Sequence, residues 1–129
     1  IHGTITFAGE WPEDTETVVL GGFTEIPDLN NIVNSLLLLG GIDIAVPKFV
    51  AKHNYQMAVR HGEYKFIGLF WKGRHIDWRD IRAIGFYRDP NNPSRPGALQ
   101  VGPNGTISGI DFVADFSTLP DGVKLGKKR

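Results

Sequence analysis

The stretch RHIDWRD, residues 74–80, puts His75, Asp77 and Asp80 within six residues. An imidazole and two carboxylates are donors that a divalent cation accepts. On an extended chain His75 and Asp77 point to the same side, so two ligands can meet one ion and a third must come from elsewhere. The competing reading is a solvated connection in which Asp80 pairs with Arg79 or Arg82. RDPNNP, residues 88–93, presents Asp89, Asn91 and Asn92 as hard oxygen donors, but without the spacing of a dedicated calcium loop. Turn formation explains it better.

Nucleophilic chemistry has less to work with. There is no cysteine, hence no thiolate nucleophile, no disulfide and no thiolate zinc site. No serine, Ser35, Ser94 and Ser108 included, sits in the G-x-S-x-G turn of a hydrolase elbow. Asp111 and Asp115 share the outward side of one strand pattern. Four residues of strand rise set them about 13 Å apart, too far for a glycosidase pair, which needs about 5 to 9.5 Å. No cofactor motif is present, and the residue types point to a non-enzymatic protein. Trp11, Trp71 and Trp78 remain as candidate platforms, since an indole packs against the apolar face of a sugar or other small ligand. Trp11 and Trp78 lie in polar loop contexts.

These side chains have to be positioned by a chain of 129 residues with 41% hydrophobic content, enough for one domain over 1–129 with one core. Fourteen basic residues balance fourteen acidic ones, so no net field recruits nucleic acid or an anionic membrane. The basic ending KLGKKR reads as a solvated terminus. No apolar run approaches the roughly 18 residues of a membrane helix. The chain opens at Ile1 on a strand pattern, and the expectation is an upstream segment such as a signal peptide or a further domain.

The period of the apolar residues sets the elements. Residues 1–7 alternate Ile1, Gly3, Ile5 and Phe7 against His2, Thr4 and Thr6, a half-buried strand. TVVLGGF is a second strand. Leu29, Ile32, Val33, Leu36 and Leu37 then recur at helical spacing, with Asp28 as N-cap and Gly40 as the stop, which predicts a short helix over about 28–39 inside an insertion of about 27–52. Leu36, Leu38 and Leu39 widen its apolar stripe enough to suggest an interaction surface for a protein partner or a second copy. NYQMAVR, with Tyr55, Met57 and Val59 inward, is expected to form a hairpin with the segment after His61-Gly62. RDPNNPSRPG reads as an irregular loop, and AIGFY, ALQV and TISGIDFVADF as strands.

In the segment HGEYKFIGLFWKG, Tyr64, Phe66, Gly68 and Phe70 fall on one side and Lys65, Ile67, Leu69 and Trp71 on the other. Both faces are apolar, which predicts a central strand covered on each side. The face of Ile67, Leu69 and Trp71 is expected to be the one covered by the leucine helix or by a partner.

IHGTITFAG, GEYKFIGLFW and GTISGIDFVADF together resemble the strand pattern of carboxypeptidase-regulatory-like, prealbumin-like (transthyretin-type) domains. The resemblance touches about a third of the chain. It implies an all-β sandwich of about seven strands, immunoglobulin-like in size, here with one short inserted helix. It also extends to small bacterial envelope proteins and lipoproteins. It therefore implies an extracytoplasmic location, whether periplasmic, cell-surface or secreted, and a role as an interaction or structural module. A carbohydrate- or small-ligand-binding module is the alternative. The ending KLGKKR does not resemble the C-terminal tetrapeptide of the transthyretin-related hydrolases.

Overall fold

Strand β1 (His2–Ala8) follows its alternation: Ile5 and Phe7 are buried while Thr6 stands in solvent. It is the middle strand of a three-stranded sheet, parallel to β11 (Phe112–Asp115) and antiparallel to β4 (Lys52–Gln56). A second, four-stranded antiparallel sheet has β3 (Leu39–Asp43), β2 (Thr15–Phe23), β6 (Phe66–Gly73) and β7 (Arg82–Phe86) in that order. Two short pairs complete the set: β5 (Gly62–Tyr64) with β10 (Leu99–Val101), and β8 (Arg88–Asp89) with β9 (Asn92–Pro96). The computed structural model describes residues 1–28, 35, 38–77, 81–103 and 105–119. Among these residues the chain is all-β, with eleven strands and a 3-10 turn at Phe116–Thr118.

The two larger sheets share one hydrophobic core. Ile5 and Phe7 of β1, Tyr55 of β4, and Phe112 and Ala114 of β11 meet Val18 and Leu20 of β2, Ile67, Leu69 and Trp71 of β6, and Ile84 of β7. Each fully buried aliphatic side chain contributes about 1.5–3 kcal/mol relative to exposure. The 3-10 turn closes one end with Phe116 and Leu119, both buried. Its N-cap is Asp115, whose carboxylate accepts the Ser117 backbone N–H at 2.9 Å and satisfies an orphan donor.

Strand β6 is central and all eight of its residues are buried, as its two apolar faces require. The assignment of the faces, however, is the reverse of the expectation. Ile67, Leu69 and Trp71 point into the core between the sheets, and Phe66 and Phe70 form a second cluster with Phe23 on the other face. Leu38, Leu39, Ile81, Ala83 and Phe86 pack against that cluster. Gly68 makes the second face possible. A Cβ there would run into the Phe66 ring and stand 3.1 Å from the Gly85 carbonyl oxygen, so the glycine leaves the space that the ring fills.

Three local expectations change. Leu39 and Gly40 belong to strand β3 and not to a helix and its stop, because Leu39 pairs with Phe23 across the sheet. The rest of the predicted helix lies almost entirely outside the described residues. β4 does not form a hairpin with the segment after Gly62; it pairs with β1, and the backbone N–H of Met57 continues that pairing by donating to the Ile1 carbonyl at 2.8 Å. RDPNNPSRPG is a β8–β9 hairpin, in which Asp89 accepts from the Asn91 backbone N–H at 2.8 Å and Asn92 accepts from the Ser94 hydroxyl at 2.6 Å. Short polar side chains that bond their own backbone build such turns.

Candidate functional site

The end of the core that holds Trp11 carries an aromatic corner. Gly9, with φ 77°, turns the chain out of β1 in a conformation that favours glycine, and delivers Trp11 against Phe7 and Phe116. The ring centroids lie 4.8 and 4.6 Å away, tilted at 43° and 46°. The indole Nε1 donates to the Val50 carbonyl at 2.8 Å, which fixes the ring and ties the loop after β1 to the connection before β4. Trp11 is half-buried.

Phe49 completes the corner from that connection. Its ring centroid is 5.4 Å from Trp11, yet 53% of the residue is exposed. Its backbone is left-handed, with φ 62°, and it is the one non-glycine residue with positive φ among the described residues. The left-handed region costs an L-residue roughly 1–2 kcal/mol, so the surrounding contacts hold an aromatic ring at the surface against a local preference. Ile42, near the end of β3, and Ile44, just after it, are exposed by 51% and 70% and precede Phe49 in the chain. Three of the five exposed large hydrophobics among the described residues thus fall within residues 42–49, where the chain leaves edge strand β3 and crosses to the other sheet. Val46, between them, is buried and anchors the crossing to the core.

The other sequence-derived candidates are dispersed. Trp71 is not a surface platform: it is fully buried, and its Nε1 donates to the Thr15 hydroxyl at 2.8 Å, which in turn donates to the Pro12 carbonyl at 2.6 Å. An indole in the middle of a central strand faces the core, and its one polar atom needs an internal partner. Leu38 and Leu39 are partly buried against the phenylalanine cluster of this same chain, while Leu36, Trp78 and Asp80 lie outside the described residues.

His75 hydrogen-bonds Asp14, a residue 61 positions distant, through its ring Nδ1. The His75 backbone N–H also donates to the Asp14 carboxylate, at 3.3 Å. Among the described residues no group of three or more histidines, aspartates and glutamates could hold a metal ion. Desolvation pushes the Asp14 carboxyl up, but the His75 hydrogen bonds and the nearby charges of His75 and Arg74 outweigh it. The carboxyl therefore lies below its ordinary 3.8. A depressed carboxyl contributes stability that is present above the ordinary value and lost as pH falls through the folded one. The stability gap between wild type and Asp14→Asn should therefore be full at neutral pH and close progressively below pH 3.8, as read by urea denaturation across the acid range. A gap that widened on acidification would contradict the pairing.

Sequence reasoning found Trp11 and missed Phe49, Ile42 and Ile44. The apolar alternation of IDIAV was a signal for the isoleucines. Nothing in PKF announces a left-handed phenylalanine, whose ring meets Trp11 from 38 residues earlier in the chain. Comparison with known protein families, curated proteins and solved structures found no match, so the class that fold and corner define is an all-β protein with an exposed aromatic and aliphatic crossing. No described helix is long and apolar enough to span a membrane.

Proposed function

We propose that the chain is a non-catalytic module of the cell envelope or extracellular space, built as a prealbumin-like β-sandwich, that docks protein through the 42–49 crossing and the Trp11–Phe49 corner. The observation that carries this reading is Phe49, an aromatic residue held half-exposed in a disfavoured backbone conformation. Strained residues that persist at a surface cluster where function requires them, and aromatic anchors dominate binding energy at protein contacts. Ile42 and Ile44 add exposed apolar side chains on the same stretch of chain. The fold name and the compartment rest on the resemblance of the three strand motifs, and two sheets packed on one core support a sandwich.

Phe49→Gly separates function from stability. Glycine adopts φ 62° without strain, so relief of the left-handed backbone offsets the lost ring contact and thermal stability should stay near the wild-type value. Self-association measured by light scattering, or capture of a partner from the native envelope fraction, should fall at least tenfold. Equal association by wild type and Phe49→Gly would end this reading.

The half-exposed Trp11 ring supports a second reading, a carbohydrate-binding face. Titration with a glycan panel should then shift tryptophan fluorescence, and the shift should vanish in Trp11→Phe while Phe49→Gly retains part of it.

A further inference from the structure

The two loops that meet at the Trp11–Phe49 corner carry opposite charge. Glu10 and Glu13 bracket Trp11, and both are exposed. Lys48 precedes Phe49, Lys52 follows it by three residues, and both are exposed as well. No basic residue falls within 9–14 and no acidic one within 44–52.

These charges are not neutralised within the molecule. The other two carboxylates of this region are already engaged: Asp14 is hydrogen-bonded by His75, and Glu16 pairs with Lys72 at 2.8 Å. Among the described residues Glu10, Glu13 and Lys52 form no ion pair. The Lys48 ammonium donates to the Glu16 backbone carbonyl, 3.2 Å away, an uncharged acceptor.

A partner that suits this surface must present both signs of charge beside an apolar patch. Nucleic acid or an anionic membrane offers one sign and would be repelled by Glu10 and Glu13, while a uniformly basic surface would meet the same repulsion from Lys48 and Lys52. A second copy of this chain offers both. Two-fold symmetry applies one patch to itself, so a contact between the first loop and the second is made twice. The carboxylates of Glu10 and Glu13 in each copy then face the ammonium groups of Lys48 and Lys52 in the other. The Trp11 and Phe49 rings stand where the two loops meet, 5.4 Å between centroids, and aromatic residues within a charged rim are the composition of specific interfaces. The whole chain carries 14 acidic and 14 basic residues, so no net charge opposes the approach of two copies.

We propose that the corner is a self-complementary surface whose partner is a second copy of this chain, with the Trp11 loop of each copy set against the Lys48–Lys52 segment of the other. The proposal rests on the reading of the corner as a protein-docking surface and names its partner. The test is sedimentation equilibrium of the wild-type chain at concentrations up to about 1 mM, the range of weak contacts, together with two charge-reversed variants. Glu10→Lys/Glu13→Lys makes both loops basic, and Lys48→Glu/Lys52→Glu makes both acidic. Each alone should dimerise about tenfold more weakly than wild type, because like charges then face one another. Mixed in equal amounts, they should form a heterodimer about as strong as the wild-type dimer, since every opposed pair is again of opposite sign. Circular dichroism checks the fold of each variant, and the single changes Glu10→Lys and Lys52→Glu, which break no ion pair, replace any double variant that does not fold. A wild-type chain that stays monomeric would overturn the proposal, and so would a mixture that associates no better than its components. Loss of another protein's capture in Phe49→Gly, with the wild type monomeric, would overturn self-association and leave docking at the corner standing. A dimer equally strong in Phe49→Gly would overturn both.

Discussion

Trp71→Ala is expected to destabilise the protein by about 3–5 kcal/mol, the cost of truncating a fully buried large aromatic side chain. The residue sits at the centre of β6 with no solvent exposure, and its neighbours come from both sheets, so the cavity cannot collapse by moving one loop. A second consequence is local: the Thr15 hydroxyl loses the Nε1 donor at 2.8 Å while keeping its bond to the Pro12 carbonyl. Trp71→Phe retains most of the apolar volume and should cost less than alanine, with the difference measured by urea denaturation monitored in the far ultraviolet. A Trp71→Ala loss below about 1 kcal/mol would show that the ring does not join the sheets as described.

Gly3→Ala is the second large effect, and it arises from backbone packed on backbone. A Cβ at position 3 would fall inside the contact radius of the Ile110 carbonyl oxygen. That same oxygen accepts from the buried Tyr55 hydroxyl at 2.6 Å. Displacing residues 107–111 to admit one methyl group would disturb three other bonds: the His2 N–H to the Ile107 carbonyl at 2.7 Å, the Ile110 N–H to the His2 carbonyl at 3.1 Å, and the Thr4 N–H to the Asp111 carboxylate at 2.8 Å. Overpacking alone costs about 1–3 kcal/mol, and a buried hydroxyl left without its acceptor adds about 1–3 kcal/mol. The melting temperature of Gly3→Ala should therefore drop by several degrees or more. Ala8, on the same strand but only partly buried, makes the control: Ala8→Ser should change stability little. Near-equal melting of Gly3→Ala and wild type would contradict the close approach of Ile110.

Both predictions rest on positions that the sequence marks unequally. Trp71 sits in a run with two apolar faces, and that pattern alone identified a central strand. Which face met the other sheet was not legible, because Phe66, Phe70, Ile67, Leu69 and Trp71 are all large and apolar, and periodicity cannot rank two hydrophobic sides. Gly3 looked like one more residue of an alternating strand. Its role depends on Ile110, more than a hundred residues later in the chain.

The corner shows the same limit. Trp11 stood out by type and by its polar neighbours, whereas Phe49 became visible only when the connection from β3 to β4 was seen to cross the core end beside it. His75 was read with Asp77 and Asp80, its near neighbours in sequence, and its observed partner is Asp14, brought alongside by the pairing of Thr15 with Gly73 at the start of β2.

Alternation of apolar and polar residues and the doubly apolar run of β6 determined the all-β class, the inward set of β1 and the closing strand, and the burial of β6, because these patterns are local and strand periodicity is set by backbone geometry. Pairing order, the choice of core face and the strained Phe49 were decided by tertiary structure. Each of these depends on contacts between residues distant in the chain, and no local pattern encodes them.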